Sequence, residues 1–564
     1  MRRFRYEPLL YALVFILALA VRLVKLDAAP LSDNEARWAL QALGVAQGTR
    51  PLLDSQPAYI LLTSVLFYGL GAGTNFLARL LPALAGSGIA LVPALFAHRL
   101  KPRISVILAF LLAFEPGLVG LSRQAGSGII ALTSALLAWG FWENRKPVWA
   151  GVFAGLALLS GPLLWPGLLG LVITWLISQA FNIRSGASTE GFRPARGAWS
   201  TAFWFGLATL VLGGTLFFLA PNGLSAWASA LPDYFAGWVS ATGVPIGLML
   251  FSLVAYQPLG LILAIIAGVR GWIQHSRRIM LLSLWLLVAL LVALFYPARQ
   301  VNDLAWMLIP LWSLAALELA RDLNLFREER REVLGVVALT VVILVFVWIN
   351  FTGLLQTAPD SPQATLRTWL LFGSFFLLVI SILLVAVGWS IRSARFGAIW
   401  GITVALGVYS LSAMTSAAGL RLLPESADLW RPGANMPEAQ LLLQTVDDMS
   451  DWSRNNIDAQ SVTMAGIDSP AMQWLLRGHT LYTTVAIDIS GQPPILITTD
   501  QQNPALASTY RGQIFTWQQQ PAWNQTSLQD WIRWLGFHQV LQNPQKVILW
   551  VRSDLFIDST APKP

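Results

Sequence analysis

The sequence contains no cysteine and only four histidines among its 564 residues. Without cysteine the chain can form no disulfide, no thiol nucleophile and no thiolate-bound metal site. The histidines are scattered and include no pair at a helical metal-binding spacing, so no zinc site is expected. Charged residues are also scarce, at 12% of the chain, and this scarcity excludes a soluble globular protein.

Apolar residues make up 55% of the sequence, and the mean hydropathy is +0.60. Leu- and Ala-rich stretches of about 18 to 25 residues recur from Tyr11 to about Ala418, which is the length needed to cross a hydrocarbon core. The net charge of +8 does not indicate nucleic-acid binding, because the basic residues form small clusters between apolar stretches. The sequence therefore predicts an all-α multi-pass membrane protein.

About thirteen transmembrane helices are predicted, with the N-terminus inside and the C-terminus outside. The expected spans are residues 8–24, 78–97, 104–121, 127–142, 148–160, 163–181, 199–220, 243–269, 279–296, 304–320, 333–356, 366–390 and 397–418. The orientation follows from the positive-inside rule, because the Arg and Lys clusters fall at the ends assigned to the cytoplasm. Cleavage of a signal peptide after Ala20 is the alternative, but apolar sequence continues to Leu26 and favours an uncleaved anchor.

Two regions follow from this pattern, a transmembrane domain over 1–420 and a soluble domain over 421–564. The first outside loop, 26–77, contains an apolar segment at 58–70 that is too short to cross and is expected to lie in the outer interface. The tail is rich in Gln, Asp, Asn, Ser and Pro and is expected outside the membrane. Its short apolar runs predict a small α/β domain, with strands at 461–467, 483–487, 494–499, 513–517 and 547–551 and helices at 471–477 and 528–535.

The first outside loop also carries two carboxylates, Asp33 and Glu35, directly after the first span. Capping of a helix that begins at Ser32 or Asp33 is one explanation for both acids. Their position at the depth of a lipid headgroup favours a second explanation, because a carboxylate there could act as a general base or hold a divalent cation against a phosphate.

Further segments follow in a fixed order along the chain. They are Asp33-Asn34-Glu35-Ala36-Arg37-Trp38, Gln56-Pro57-Ala58-Tyr59, the stretches 66–71, 75–84 and 115–123, the turn Ser160-Gly161-Pro162, and the stretch 305–312. In order and spacing these segments resemble the GT-C membrane glycosyltransferases over roughly the first 320 residues. The branch they resemble contains the protein O-mannosyltransferases and aminoarabinose transferases of the glycosyltransferase family 39 type.

The resemblance implies an inverting transfer of a sugar from a polyprenyl phosphate to a protein, lipid or glycan acceptor, on the outer face of a prokaryotic plasma membrane. It implies Asp33 or Glu35 as the general base, and Arg37, Gln56 and Tyr59 as substrate contacts. No cofactor is certain, and a divalent cation is the one candidate.

Arginines at the outer ends of spans suit a phosphate, because the guanidinium donors form a fork. Arg79, Arg123 and Arg299 occupy such positions, and interfacial anchoring is the alternative for each. Glu115 lies near the outer end of an apolar span and could supply a second acid, pair with Arg123 or meet interfacial water.

The sequence departs from the family pattern at several positions. Asn34 separates two acids that are usually adjacent, and Gly128 stands where a second acid is expected. Gln56 and Ser160 replace two lysines, which weakens the case for a doubly charged phosphate or pyrophosphate ligand. A catalytically silent relative that binds lipid-linked sugar or assists a flippase is therefore the second hypothesis, and a transporter is the third.

Overall fold

The structure is a computed structural model that describes residues 7–181, 197–325, 330–358, 361–420, 427–431, 433–452, 461–485, 492–500 and 508–556. A large helical region occupies the first 420 residues, and a small sheet domain follows it. The expected combination of a helical membrane protein and a small α/β tail is confirmed at this level. The position of the domain boundary stays a prediction, because residues 421–426 lie outside the described ranges.

The helices of the first region alternate between long spans and short segments. Their bounds are α1 Glu7–Leu23, α2 Asp33–Ala46, α3 Pro57–Leu70, α4 Asn75–Gly88, α5 Val92–Leu95, α6 Ala97–Leu100, α7 Pro102–Ala113, α8 Pro116–Ser122, α9 Gly128–Glu143, α10 Pro147–Leu158, α11 Leu164–Ala180, α12 Ala198–Ala208, α13 Asn222–Ala236, α14 Ile246–Tyr256, α15 Pro258–Ile273, α16 Arg277–Phe295, α17 Ala305–Leu325, α18 Arg330–Leu355, α19 Pro362–Gly388 and α20 Ile391–Ala417. A π-helical turn, Thr209–Gly213, extends α12, and a 3-10 turn, Val301–Leu304, precedes α17.

Six helical segments within the described residues are long and apolar enough to cross a membrane, and counting two bent pairs as single spans raises the number to eight. The chain is therefore a multi-pass membrane protein. Shorter apolar helices such as α9, α10 and α11 also lie in this region. The count of about thirteen spans and the inside–outside orientation stay predictions.

The long helices differ in how much protein surrounds them. The most apolar window of the segment Val301–Arg321 is 83% buried, whereas that of Pro362–Gly388 is only 11% buried. A helix that is apolar all round but unburied by protein needs lipid around it. The segment Val301–Arg321 therefore forms the centre of the bundle, and α19 lies at its periphery.

Two of the predicted single spans are broken in the structure. The predicted span 104–121 consists of α7 and α8, bent by 56°, and the predicted span 243–269 consists of α14 and α15, bent by 89°. Each second helix begins with a proline, Pro116 or Pro258. Proline lacks the N–H that would continue the helix and disfavours helical geometry in the residue before it.

The first outside loop folds as the sequence predicts locally. Helix α2 begins after the N-cap Ser32, and α3 accounts for the short apolar segment. Helix α3 ends at Gly71, whose φ of +66° is the left-handed geometry that glycine adopts without strain.

The tail domain contains a five-stranded sheet in the order β2-β1-β3-β5-β4. Its elements are α21 Ala439–Trp452, β1 Ser461–Ala465, α22 Pro470–Leu475, β2 Thr480–Thr484, β3 Ile495–Thr499, β4 Tyr510–Pro521, α23 Leu528–Phe537 and β5 Gln542–Arg552. Strand β1 is parallel to β2 and β3, while β5 is antiparallel to β3 and β4. All five predicted strand segments and both predicted helices correspond to observed elements, although 486–487 lie outside the described residues, and α21 was not predicted.

The tail packs directly on the helical region through aromatic side chains. Trp430 is 1% exposed, and its ring covers Gly117 so closely that a Cβ on that glycine would lie 2.5 Å from the ring. The rings of Phe251 in α14 and Trp531 in α23 are 4.5 Å apart, edge to face. These apolar contacts fix the tail against the start of α8 and the middle of α14.

Candidate functional site

A cavity of about 610 Å³ opens among loops that join the helices at the end of the bundle for which the sequence predicts an outside location. Its walls come from α2, the stretch before α3, the loop between α8 and α9, the start of α11, the end of α13 and the turn before α17. A volume of this order is typical of a small-molecule site. We refer to it as the outer cavity.

Three carboxylates line the outer cavity, those of Asp54, Asp233 and Asp303. Asp54 Oδ2 accepts a hydrogen bond of 2.8 Å from Trp38 Nε1, and Asp303 Oδ2 accepts one of 2.7 Å from the backbone N–H of Gln300. No ion pair within the described residues involves any of the three carboxylates.

Arg37 and Gln56 are the two sequence-predicted site residues that line the outer cavity. The Arg37 side chain is exposed, and no described carboxylate forms an ion pair with it. The Gln56 side chain is buried, and its Oε1 accepts hydrogen bonds from Ser127 N at 2.9 Å and Ser127 Oγ at 2.8 Å. Arg37 is therefore available to a ligand, whereas the carbonyl of Gln56 holds the α8–α9 loop.

Glu35 lies beside a separate, smaller cavity of about 80 Å³. Its carboxylate forms a two-pronged ion pair with Arg79, through Nε to Oε1 and Nη2 to Oε2, both at 2.9 Å. The backbone N–H groups of Ser32 and Ala125 also donate to it, at 2.9 and 2.7 Å. Arg79 in turn donates to the carbonyls of residues 26, 29 and 30.

Burial alone would raise the pKa of Glu35, but the charge and hydrogen bonds of Arg79 and the backbone N–H groups lower it to about 2. Glu35 is only 7% exposed. A carboxylate with so low a pKa is a weak base. The arrangement therefore makes Glu35 and Arg79 a clamp that holds the start of the first outside loop against α4.

Arg123 lies against the C-terminal end of the first helix. Its guanidinium donates to the backbone carbonyls of Val21, Arg22, Val24 and Lys25, at 2.9 to 3.2 Å. Carbonyls at the C-terminal end of a helix lack partners in a next turn, so the arginine supplies donors there and complements the helix dipole.

Arg431 and Arg79 lie close to Arg123 around a space of about 10 Å³. Burial first, and then repulsion from the other two arginines, lowers the pKa of Arg123 to about 10. A space of this size has room for about one water molecule. The space as it stands does not hold a phosphate, and the roles of Arg79 and Arg123 as phosphate contacts stay predictions.

Asp33 contacts the tail domain instead of the outer cavity. Its Oδ1 accepts from Ser469 Oγ at 2.6 Å and from Ala471 N at 3.1 Å, and its Oδ2 accepts from Gln518 Nε2 at 2.6 Å. The two acids that follow the first span thus lie beside different cavities.

Glu115 lies at the bend between α7 and α8 and is 1% exposed. Its carboxylate caps α8 by accepting from the N–H groups of Gly117 and Leu118. The side-chain amide of Gln257, at the bend between α14 and α15, also donates to it. Within the described residues no ion pair or hydrogen bond links Glu115 to Arg123, which was one of the sequence-based alternatives, and the carboxylate instead joins the two bends.

Tyr59 and Arg299 do not line any of the described cavities. The Tyr59 hydroxyl is buried and donates to the carbonyl of Ala78 at 2.8 Å. Arg299 donates from Nη1 to the carbonyl of Tyr296 at 3.3 Å, and the Tyr296 ring lines the outer cavity. Arg299 therefore lies just behind the cavity wall.

A metal site would need several ligands close together. In the part of the chain that the structure describes, no three His, Asp or Glu side chains are grouped as metal ligands. The divalent cation stays a prediction, and the residues of the outer cavity do not supply a ready donor set for it.

The three carboxylates of the outer cavity were missed by the sequence analysis. Asp54, Asp233 and Asp303 are far apart in the chain and belong to no shared motif. A partial signal was available, because each lies on the outer side in the predicted topology. Their convergence depends on helix packing that spacing alone does not predict.

No protein-family model matches the chain, and no curated protein matches its sequence. Solved structures do match its fold.

ArnT from Cupriavidus metallidurans bound to undecaprenyl phosphate is 14% identical, with a TM-score of 0.54 over 100% of both chains. The apo state of the same ArnT gives 14% identity and a TM-score of 0.52, over 98% of this chain and 99% of that one. The archaeal oligosaccharyltransferase AglB from Archaeoglobus fulgidus, in complex with an inhibitory peptide and a dolichol-phosphate, is 12% identical, with a TM-score of 0.44 over 88% of this chain and 69% of that one.

The resemblance first seen in short sequence motifs thus extends to the whole chain of ArnT. The helical region and the sheet domain are both included in that match. The chain has the fold of the GT-C membrane glycosyltransferases.

Proposed function

We propose that this protein transfers a sugar from a polyprenyl phosphate to an acceptor on the outer face of the membrane, and that the reaction takes place in the outer cavity. The observation that carries the proposal is the joint presence, in one cavity of about 610 Å³, of a free arginine and carboxylates without ionic partners within the described chain. The GT-C fold and the binding of undecaprenyl phosphate by the structurally similar ArnT support it.

The reaction needs a base and a cation in defined places. The base removes the proton of the acceptor hydroxyl, the oxygen attacks the anomeric carbon, and the bond from that carbon to the phosphate oxygen breaks. The electron pair of this bond stays on the phosphate, which leaves as the lipid phosphate. A cation near the phosphate stabilises the charge that develops on it.

Asp303 is our candidate for the base. Its carboxylate is partly buried at the wall of the cavity, and the N–H of Gln300 fixes its orientation. Asp54 is committed on one oxygen to Trp38, and Asp233 is exposed. Arg37 is our candidate for the phosphate contact, because its fork of donors is free of ion pairs in the described chain.

Asp33 and Glu35, the bases expected from the sequence, are assigned a positioning role in this proposal. Glu35 is held by Arg79, and its low pKa makes it a poor proton acceptor. Asp33 is held by the tail domain.

The test is a transfer assay in vesicles that contain the purified protein and labelled polyprenyl-phosphate sugars, with a panel of lipid, peptide and glycan acceptors. Asp303→Asn should lower the rate by about a hundredfold or more, which is typical for loss of a general base. Asp448→Asn, on the exposed face of α21, is the matched control and should leave the rate unchanged. Full turnover by Asp303→Asn, with loss of turnover in Glu35→Gln at unchanged stability, would refute this assignment.

A second function is favoured by one observation. Gln56 stands where the family pattern has a lysine, and its carbonyl is committed to Ser127. In this alternative the outer cavity binds a lipid-linked sugar without transferring it. Retained binding of the labelled donor, with no transfer to any acceptor of the panel by the wild-type protein, would favour the alternative.

A further inference from the structure

A second large cavity, of about 460 Å³, lies between the tail sheet and the N-terminus of α2. We refer to it as the tail cavity. It is lined by the residues that directly follow β1 and β3, by the first residues of β5 and by the end of β4. All of these positions lie at the same end of the strands, the end at which β1 and β3 terminate. The pairing of Thr499 with Val547 and of Gln518 with Gln545 places β4 and β5 residues at this end too.

The topological switch point of the sheet, between β1 and β3, lies at this end of the strands. From β1 the chain passes through α22 to β2 on one side, and then to β3 on the other side of β1. The carboxyl ends of β1 and β3 therefore diverge into a crevice, which is where open α/β sheets bind their ligands. The tail cavity is this crevice.

The chemistry of the walls indicates the class of ligand. The carboxylates of Asp468 and Asp500 and the side chains of Gln545 and Lys546 are exposed at the cavity. No described residue forms an ion pair with either of these acids or with Lys546. A phosphate would meet more negative than positive charge here, so an anionic ligand is disfavoured.

A single cation is also disfavoured, because no three acidic or histidine side chains of the described chain are grouped as ligands. The remaining wall residue of note is Trp517, which is 3% exposed and whose indole N–H has no acceptor within the described residues. Carboxylates and amides bind vicinal hydroxyl groups through paired hydrogen bonds, and an indole N–H without an acceptor at the wall can donate to a hydroxyl oxygen.

We infer that the tail cavity binds a saccharide, the sugar portion of the acceptor. This inference rests on the proposed glycosyltransferase function, because an acceptor is meaningful only if the protein transfers a sugar. The tail domain thereby selects acceptors that already carry glycan. Asp33 contributes by holding Ser469 and Gln518, which flank the cavity, in place.

The test uses the full-length protein in nanodiscs and trisaccharides of glucose, galactose, mannose and N-acetylglucosamine as probes, with calorimetry as the readout. At least one trisaccharide should bind, and the double variant Asp468→Asn with Asp500→Asn should weaken that binding at least tenfold. Asp448→Asn is the matched control, since it removes an exposed carboxylate of the same domain outside the cavity. Thermal unfolding verifies that all variants are folded.

The outcomes separate this inference from the function it rests on. Saccharide binding that depends on the two acids, without any sugar transfer in the same preparation, supports the binding site and contradicts the transferase. Transfer to a glycan acceptor that is unaffected by the double variant overturns the tail cavity as an acceptor site. Absence of binding by every trisaccharide, or binding of Ca²⁺ alone that the double variant abolishes, also overturns the inference.

Discussion

Replacement of Arg79 by methionine gives a direct test of the Glu35–Arg79 clamp. Both side chains are almost fully buried, and Arg79 supplies both prongs of the ion pair. The substitution leaves the Glu35 carboxylate buried with hydrogen bonds from the Ser32 and Ala125 backbones but without its cation. Removal of one partner from a buried pair costs about 3 to 5 kcal/mol, because the remaining charge is uncompensated.

The pKa of Glu35 gives a second measure of the same interaction. Lowering it from 4.5 to about 2 corresponds to a stabilisation of about 3 kcal/mol. Because the folded-state pKa lies below the unfolded value, this stabilisation is complete above pH 4.5 and is lost as the pH falls toward 2. The wild-type protein should therefore lose stability over that interval, and Glu35→Gln should show a flatter profile.

The assay is thermal unfolding in nanodiscs, followed by the fluorescence of the 26 tryptophans at a fixed scan rate. Arg79→Met should lower Tm clearly, and the double variant Arg79→Met with Glu35→Gln should recover part of the loss, because a neutral amide is cheaper to bury than a lone carboxylate. Arg50→Met is the control, since this exposed arginine lies in the first outside loop, as Glu35 does, and has no ion pair in the described chain. If Arg79→Met lowers Tm no more than Arg50→Met, or if the double variant is no better than Arg79→Met, the clamp is refuted.

Two further predictions test the packing of the helices and the docking of the tail. A Cβ at Gly167 would lie 2.0 Å from the ring of Trp306, so Gly167→Ala should destabilise the protein by about 1 to 3 kcal/mol in the same unfolding assay. Gly373→Ala is the control and should be neutral or stabilising, because a Cβ at Gly373 meets no atom within 4 Å. Asp33→Asn exchanges charge-assisted hydrogen bonds to the tail for weaker ones, so it should speed amide hydrogen exchange in 466–472 and 516–519. Asp27→Asn, at an exposed residue, is the control. Equal protection of the amides in both variants would contradict the role of Asp33 in docking the tail.

The sequence predicts those features that depend on local physics. The strands of the tail appear as short apolar runs, and α2 begins where Ser32 provides an N-cap. The break before Pro258 could also have been inferred from the proline, but the surrounding apolar residues favour one continuous span.

The composition of the site depends on contacts between distant segments, and the sequence does not predict them. Asp33 meets Ser469 and Gln518, which are more than 400 positions away in the chain. Asp303, in the turn before α17, and Asp54, in the stretch before α3, share a cavity although they are far apart in the chain. The motifs single out the segment that contains Asp33 and Glu35, but the burial that makes Glu35 a structural carboxylate is a property of the folded protein.

The hydrogen bond between Glu115 and Gln257 ties together the only points at which α7–α8 and α14–α15 change direction. A bend of this kind is a natural hinge. When a buried polar contact joins two such hinges, neither can change its angle alone without breaking that contact. Helix α8 leads into the loop that lines the outer cavity, and α14 touches the tail through Phe251. A displacement of that loop would therefore strain a chain of contacts that runs through both bends and ends at the tail domain.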